Sequence, residues 1–345
     1  MAEMHAPTSA GVLPEQADGA ALQQAVMTVD VVVPAFNEAS CIRGVLEDLS
    51  RARQEAWFQV KNIHVISDAS TDGTDAIVRA FAATNPRVRL IRKEWRRGKQ
   101  DSVNLALSIT RADVIVFIDA DVRMVDEYSL ARLLEHMRDG RTALVQGGLV
   151  RAIPSFTMHA AKLAAHFDWL LVGKLRTRKP LSWWSVDGRV MALSADFYRD
   201  LHLPLSLADD QFIFYSCIKQ GRRFVWARDA VFYYGPPVSI WDFSHQWTRY
   251  FFYTRQSREY FGRKLVSEEM ALPGLWRDIA QQIARHPLCG IAWLLCHGIS
   301  RIEYVLRIGC HGYRRGLFWT KSKLIEREEY QLVERGTAAQ IRVKR

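Results

Sequence analysis

The chain has 345 residues, of which 49% are apolar and 24% charged. That mix excludes a wholly disordered protein and supports a sizeable core. Five cysteines (Cys41, Cys217, Cys289, Cys296, Cys310) form no C-x-x-C pair and are odd in number, which argues for reduced thiols in a cytosolic chain and against a disulfide frame or zinc site. The net charge is +10, and the segment from Arg255 to Arg345 holds seventeen Lys/Arg against nine Asp/Glu. A basic end of this kind suits an anionic surface, although a solvated basic face is the plainer reading.

Residues 1–26 are small, polar and without period, and no basic start precedes an apolar stretch. They read as a disordered tail and not as a signal peptide. Val29–Val33 is a β-branched strand running into Pro34, followed by a helical pattern with Ile42, Val45, Leu46 and Leu49 on one face. Ile63–Ile66, Val88–Ile91, Val114–Ile118 and Ala143–Val150 read as further strands. Asp75–Ala83, Asp101–Ser108 and Tyr128–Met137 read as the helices between them. This alternation predicts an α/β fold, a mostly parallel sheet with helices on both faces. Ligands of such sheets bind at the carboxyl ends of the strands, and PAFNEAS, SDASTDGT and FIDADV all fall there. Beyond Val150 the pattern loosens. Ser155–Leu175 and Leu207–Gln220 read as helices, the latter stopping at Gly221, and residues past about 260 read as helical and rich in Arg and Trp.

Asp119 and Asp121 sit two residues apart, so in extended backbone they point the same way. Like charges so placed need a cation or donors between them. Mg²⁺ or Mn²⁺ shared with substrate phosphates answers that need, and two acids capping the next helix answer it equally. Asp68 ends its strand and could accept from a base N–H, whereas Asp72 reads as a turn and cap residue. In WRRGKQDSVNLAL, Gly98 permits close backbone approach and Lys99 places a cation at a helix start, although no P-loop is present.

PAFNEAS, SDASTDGT, RRGK…NLAL and FIDADV occur in the order and spacing of family 2 glycosyltransferases of GT-A fold, and over residues 28–255 the chain resembles them. The resemblance implies a GT-A domain at 27–260 followed by a basic, Trp-containing helical region at 261–345. It implies a nucleotide-sugar donor, a UDP-sugar by preference. Pro34, Glu38, Asp68, Lys99 and Asp119 would contact the nucleotide, with Lys99 near the diphosphate or its ribose. Asp119 and Asp121 would hold Mn²⁺ or Mg²⁺. In LADDQFIFYSCIKQGRR, Asp209-Asp210 stands where the family has Glu-Asp, so Asp210 would be the catalytic base and transfer would invert the anomeric centre. HQWTRY matches the Q-x-x-R-W motif of polysaccharide-making members at Gln246 and Arg249, with Tyr250 in place of Trp. These residues and Asp209 would serve the acceptor side, and Trp247 and Tyr250 suit core packing almost equally well.

The acceptor implied is a glycan or lipid-linked glycan; a polyprenyl phosphate is the alternative, and it would need no base. No stretch reaches the ~20 apolar residues of a membrane span. Trp276, Trp293 and Trp319 with Arg285, Arg314, Arg315, Lys321 and Lys323 nearby fit helices lying on a bilayer, with a buried helical hairpin as the other reading. The expected location is the cytoplasmic face of an inner membrane, with no nucleic-acid partner and with a separate membrane partner needed for any polymer export. A sugar nucleotidyltransferase, an aspartyl phosphatase and a degenerate scaffold are the rivals. PAFNEAS where the first would carry a Gly-rich loop, D-x-D after three earlier strands, and the intact Asp68, Asp119, Asp121 and Asp210 set argue against them in turn.

Overall fold

A computed structural model describes residues 26–153, 159–237, 239–311, 330–335 and 338–343. Residues 1–25 of the expected tail, and Trp319 with its neighbouring Arg and Lys residues, lie outside the described residues. The first half alternates strand and helix: β1 (Met27–Ala35), α1 (Ile42–Arg51), β2 (Phe58–Ser67), α2 (Thr74–Thr84), β3 (Val88–Arg92), α3 (Lys99–Ile109), β4 (Val114–Ile118), β5 (Val122–Met124) and α4 (Ser129–Glu135). β6 (Thr142–Ile153), α5 (Ala160–Arg178), β7 (Val190–Ser194), α6 (Ala195–Tyr198), α7 (Asp209–Lys219) and β8 (Arg223–Tyr234) complete the sheet layer. Four helices follow: α8 (Ile240–Phe261), α9 (Arg263–Met270), α10 (Leu275–Arg285) and α11 (Pro287–His311). β9 (Tyr330–Arg335) and β10 (Ala338–Val343) come last.

The strands order as β3-β2-β1-β4-β7-β6-β10-β9, with β8 pairing β6 and β5. β1, β2, β3 and β4 are parallel, as are β6 and β8, whereas β7 runs antiparallel to both β4 and β6. The sheet is therefore mixed, with a parallel half that carries the nucleotide-type loops. Two elements correct the expectation. β8 lay in a stretch without a readable strand pattern, and β9–β10 replace part of what was expected to be helix, with β10 parallel to β6.

Both faces of β1 and β4 are buried, and alternation divides the core in two. Val29, Val31 and Val33 of β1 join Val114, Val116 and Ile118 of β4 under α1 and α4. Val32, Ile115 and Phe117 face the other way, onto α3 and α7. α1 buries Ile42, Val45, Leu46 and Leu49, the face read from spacing. The later helices form a separate layer. Ala161, Ala164 and Ala165 of α5 are small enough to admit Phe243 of α8 and Ala292 and Cys296 of α11. α8 runs through residue 260 without a break, and its start is capped by Ser239, whose hydroxyl accepts from the Asp242 amide at 3.0 Å.

Candidate active site

A cavity of about 1140 Å³ opens at the carboxyl ends of the parallel strands, bounded on the far side by α8. The loops after β1 and β2 are stitched together beneath its rim. Asn37 sits at φ 56° and Ala69 at φ 58°, both left-handed. The Asn37 side chain accepts from the Thr71 amide at 2.7 Å, and the Ser70 hydroxyl accepts from the Asn37 amide at 3.1 Å. Asp72 accepts from the amides of Thr74 at 3.0 Å and Ala39 at 3.2 Å, the turn role expected of it, while Gly73 and not Asp72 is the N-cap of α2. The Glu38 amide donates to the Thr74 hydroxyl at 2.8 Å, which turns the chain into α1 and leaves Glu38 at the cavity wall.

Asp68 also borders the cavity, and its two oxygens accept the amides of Arg97 and Gly98 at 2.8 Å each, with Lys93 Nζ at 2.6 Å. It therefore anchors the third loop. Gly98 has φ 94°, a conformation closed to most side chains, which is why a glycine precedes α3 here. Pro34 is a correction. It lies inside β1 opposite Ile66 and is buried in the strand, so Phe36, two residues on, reaches the cavity instead. The Arg96 guanidinium stacks on Phe36 at 3.7 Å.

Asp119 and Asp121 leave β4 and line the same cavity. Lys99, buried at the first position of α3, places Nζ 2.6 Å from Asp119 and 3.0 Å from Asp209, and donates to the Gly188 carbonyl at 2.9 Å. An ammonium has three N–H donors, so Lys99 is engaged by the acids and not placed to clasp a diphosphate directly, the neighbourhood expected of it. Burial opposes its charge, but Asp119 and Asp209 more than offset this and hold it protonated. Burial pushes the Asp119 carboxyl up to about 7; Lys99 works against that shift while the charges of Asp121 and Asp209 add to it. Arg189 is a second cation beside the pair. It takes both oxygens of Asp187 at 2.6 and 2.8 Å and lies over the Tyr234 ring at 3.9 Å. Burial disfavours its charge, yet Asp187, Tyr234, Asp121 and Asp119 together raise its pKa.

Asp209 and Asp210 open α7 at the cavity edge. Asp210 accepts from the Gln211 amide at 2.7 Å. Burial raises its carboxyl to about 7, and the neighbouring charge of Asp209 adds to the shift. Gly188 makes this seat possible, since a β-carbon there would stand 2.9 Å from that of Asp210. From α8, Gln246, Arg249 and Tyr250 all line the cavity. Tyr250 accepts from the Trp183 indole N–H at 3.2 Å. Trp247 turns the other way, donating to Asp168 at 2.9 Å within the helical layer.

Every residue singled out for a site except Pro34 thus borders one cavity. Phe36 and Arg96 were missed, whereas Asp187, Gly188 and Arg189 fall in VDGRVMALSADFYRDL (Val186–Leu201), the stretch that resembles the family's acceptor-side segment. Those three form a D-G-R turn just before β7. Among the described residues no three His, Cys, Asp or Glu side chains gather into a metal cage. Two carboxylates, one of them strained by the charge of the other, fit a hard cation that draws its remaining ligands from substrate oxygens and water.

The description "Glycosyl transferase family 2" matches residues 30–188, and "Glycosyl transferase family group 2" matches residues 114–323. The chain belongs to the family 2 glycosyltransferases. A mannosyltransferase of Pyrobaculum calidifontis, solved with GDP-Man and Mn²⁺, shares the fold at TM-score 0.51 and 20% identity, over 81% of this chain and 83% of that one. An uncharacterized protein of Methanocaldococcus jannaschii is 27% identical over 60% of this chain and 90% of its own length. A dolichyl-phosphate beta-glucosyltransferase of Trichomonas vaginalis is 32% identical over 28% of this chain and 30% of its own. A bactoprenol glucosyl transferase of Shigella phage SfX is 29% identical over 33% and 37%. The chain thus spans about a third of the length of these two glucosyltransferase relatives. As a family 2 glycosyltransferase of GT-A fold, it places the cavity where that fold's sheet predicts a ligand.

Proposed function

We propose that this glycosyltransferase moves a sugar from a nucleoside diphosphate to a hydroxyl of a glycan or lipid-linked glycan, with inversion at the anomeric carbon. The observation that carries the reading is Asp210, a carboxyl raised to about 7 in the same cavity as Asp119 and Asp121. A base with that affinity for protons is matched to neutral pH, and such catalysis contributes roughly 10²–10⁴-fold. As the acceptor oxygen bonds to the anomeric carbon, Asp210 takes its proton and the bond to the diphosphate breaks. Asp119 and Asp121 would hold a Mn²⁺ or Mg²⁺ ion, which when bound supplies positive charge against the leaving diphosphate. Lys99 keeps Asp119 and Asp209 compensated, and Arg249 of α8 is the side chain proposed to close over the diphosphate. Phe36 with Arg96 offers a flat face for the base, near Asp68 and Glu38.

A second reading, transfer to a polyprenyl phosphate, draws on the names of the dolichyl-phosphate and bactoprenol relatives. An ionised phosphate needs no base, so Asp210 separates the two. The test measures nucleotide release from UDP- and GDP-sugars with Mn²⁺, using sugar and polyprenyl-phosphate acceptors in parallel, for the native chain and Asp210→Asn. Loss of transfer with donor binding retained supports the first reading. Transfer by Asp210→Asn to a sugar hydroxyl at the native rate would sink it, and undiminished transfer to the phosphate would favour the second.

A further inference from the structure

The helical layer presents one face that no described element covers. Half of the large apolar side chains exposed among the described residues lie between Trp276 and Leu306. On α11 they fall at Leu288, Ile291, Leu294, Leu295, Ile302, Val305 and Leu306, spacings of three, four and seven that gather them in one broad stripe. A helix of 25 residues is about 37 Å long, so the stripe is extended, and no helix among the described residues is long and apolar enough to cross a membrane. α10 adds Trp276, 80% exposed.

Charge on these two helices is sorted by side. Both acids turn inward: Asp278 is buried between Lys174, 2.7 Å away, and Arg178, and Glu303 is held by His245 at 3.0 Å and Arg307 at 2.7 Å. The charged residues left exposed are Arg277, Arg285 and Arg301, all cations. Trp293, expected at an interface, instead points into the layer, where its indole donates to Asp168. The apolar stripe is therefore aliphatic (leucine, isoleucine and valine) with exposed arginines on the same two helices, and among the described residues of these helices Trp276 alone stands as an exposed aromatic anchor.

We propose that this α10–α11 face docks on an anionic phospholipid bilayer, with α11 lying in the plane of the interface. A second copy of the chain would also cover apolar surface, but exposed arginines meeting their own copy repel, whereas anionic headgroups complement them. The docked helix is fixed to the cavity wall. Glu303 of α11 accepts from Ser244 of α8, and within the next two turns of α8 stand Gln246, Arg249 and Tyr250. The surface that meets lipid thus lies one helix away from the acceptor side of the site. This deepens the proposed function, since it identifies a bilayer as the place where the acceptor is met, but the docking itself holds whatever the acceptor.

Flotation of the full chain with vesicles of phosphatidylcholine alone, or mixed with phosphatidylglycerol, tests it. The native protein floats with the mixed vesicles only. Combined Ile291→Glu, Leu295→Glu and Ile302→Glu stays in solution, and Arg277→Glu with Arg285→Glu lowers partitioning about fivefold per arginine. Both sets keep the native melting temperature and the native rate of donor hydrolysis in solution. Ile291→Ser with Leu295→Ser gives a milder version should the acidic set fold poorly. Native protein that stays down with mixed vesicles, or face variants that float undiminished, would overturn the proposal. So would a native dimer, by light scattering, that the face variants dissolve without altering flotation. Absence of donor hydrolysis in every sample would count against the proposed reaction and leave the flotation result standing.

Discussion

Three acceptors meet at the Lys99 ammonium: Asp119 just after β4, Asp209 at the start of α7 and the Gly188 carbonyl. Removing one partner of a buried pair leaves an uncompensated charge, at a cost of about 3–5 kcal/mol. Lys99→Met is therefore expected to lower unfolding stability in urea by that amount and to reduce turnover, with both losses smaller in Lys99→Met/Asp209→Asn. Asp210 behaves differently because nothing neutralises it fully. Its carboxyl ordinarily titrates at 3.8 and in the fold at about 7. Turnover should thus rise with pH through about 7. The same shift has a stability sign. The folded state disfavours the charged form, so the cost is absent below about pH 4 and grows until about pH 7. Asp210→Asn should accordingly melt higher than the native chain at about pH 8 and no higher at about pH 4, readable by calorimetry.

The site is assembled from element ends, and each element contributes for a stated reason. α7 can bring Asp210 to the cavity because the D-G-R turn before β7 lacks a side chain at Gly188. Gly188→Ala would push the first turn of α7 outward. Misplacing the proposed base costs about 10²-fold, so kcat should fall by that order while nucleotide affinity, measured by titration, holds. β4, the end of β2 and most of β1 were readable from sequence because burial on both faces makes them near-continuous apolar runs, and the acids beyond β2 and β4 stood out against those runs. β8 was not, since Arg223, Arg228 and Asp229 interrupt RFVWARDAVFYY on its exposed positions. Pro34 entered the site only through the resemblance, and β1 continues past it to Ala35 with Pro34 buried in the strand.

At the scale of the molecule, a sheet layer and a helical layer share α8, one side lining the cavity and the other packed on α5 and α11. Asp168 of α5 is the polar centre of that packing, accepting from Trp247 of α8 and Trp293 of α11. Asp168→Ala strands two indole donors, each costing about 1–3 kcal/mol when buried. Hydrogen exchange should then show α11 losing protection while β1, β2 and β4 keep theirs. None of this was legible in the sequence, because Asp168 sits in an alanine-rich helix with partners 79 and 125 residues away, and no motif announces such a pairing. The rim, by contrast, was legible as motifs though not as a network. Asn37, Ser70, Asp72 and Asp68 bind three loops to one another, so their freedom is surrendered when the chain folds. An arriving nucleotide then has little backbone left to immobilise, and more of its contact enthalpy survives as affinity.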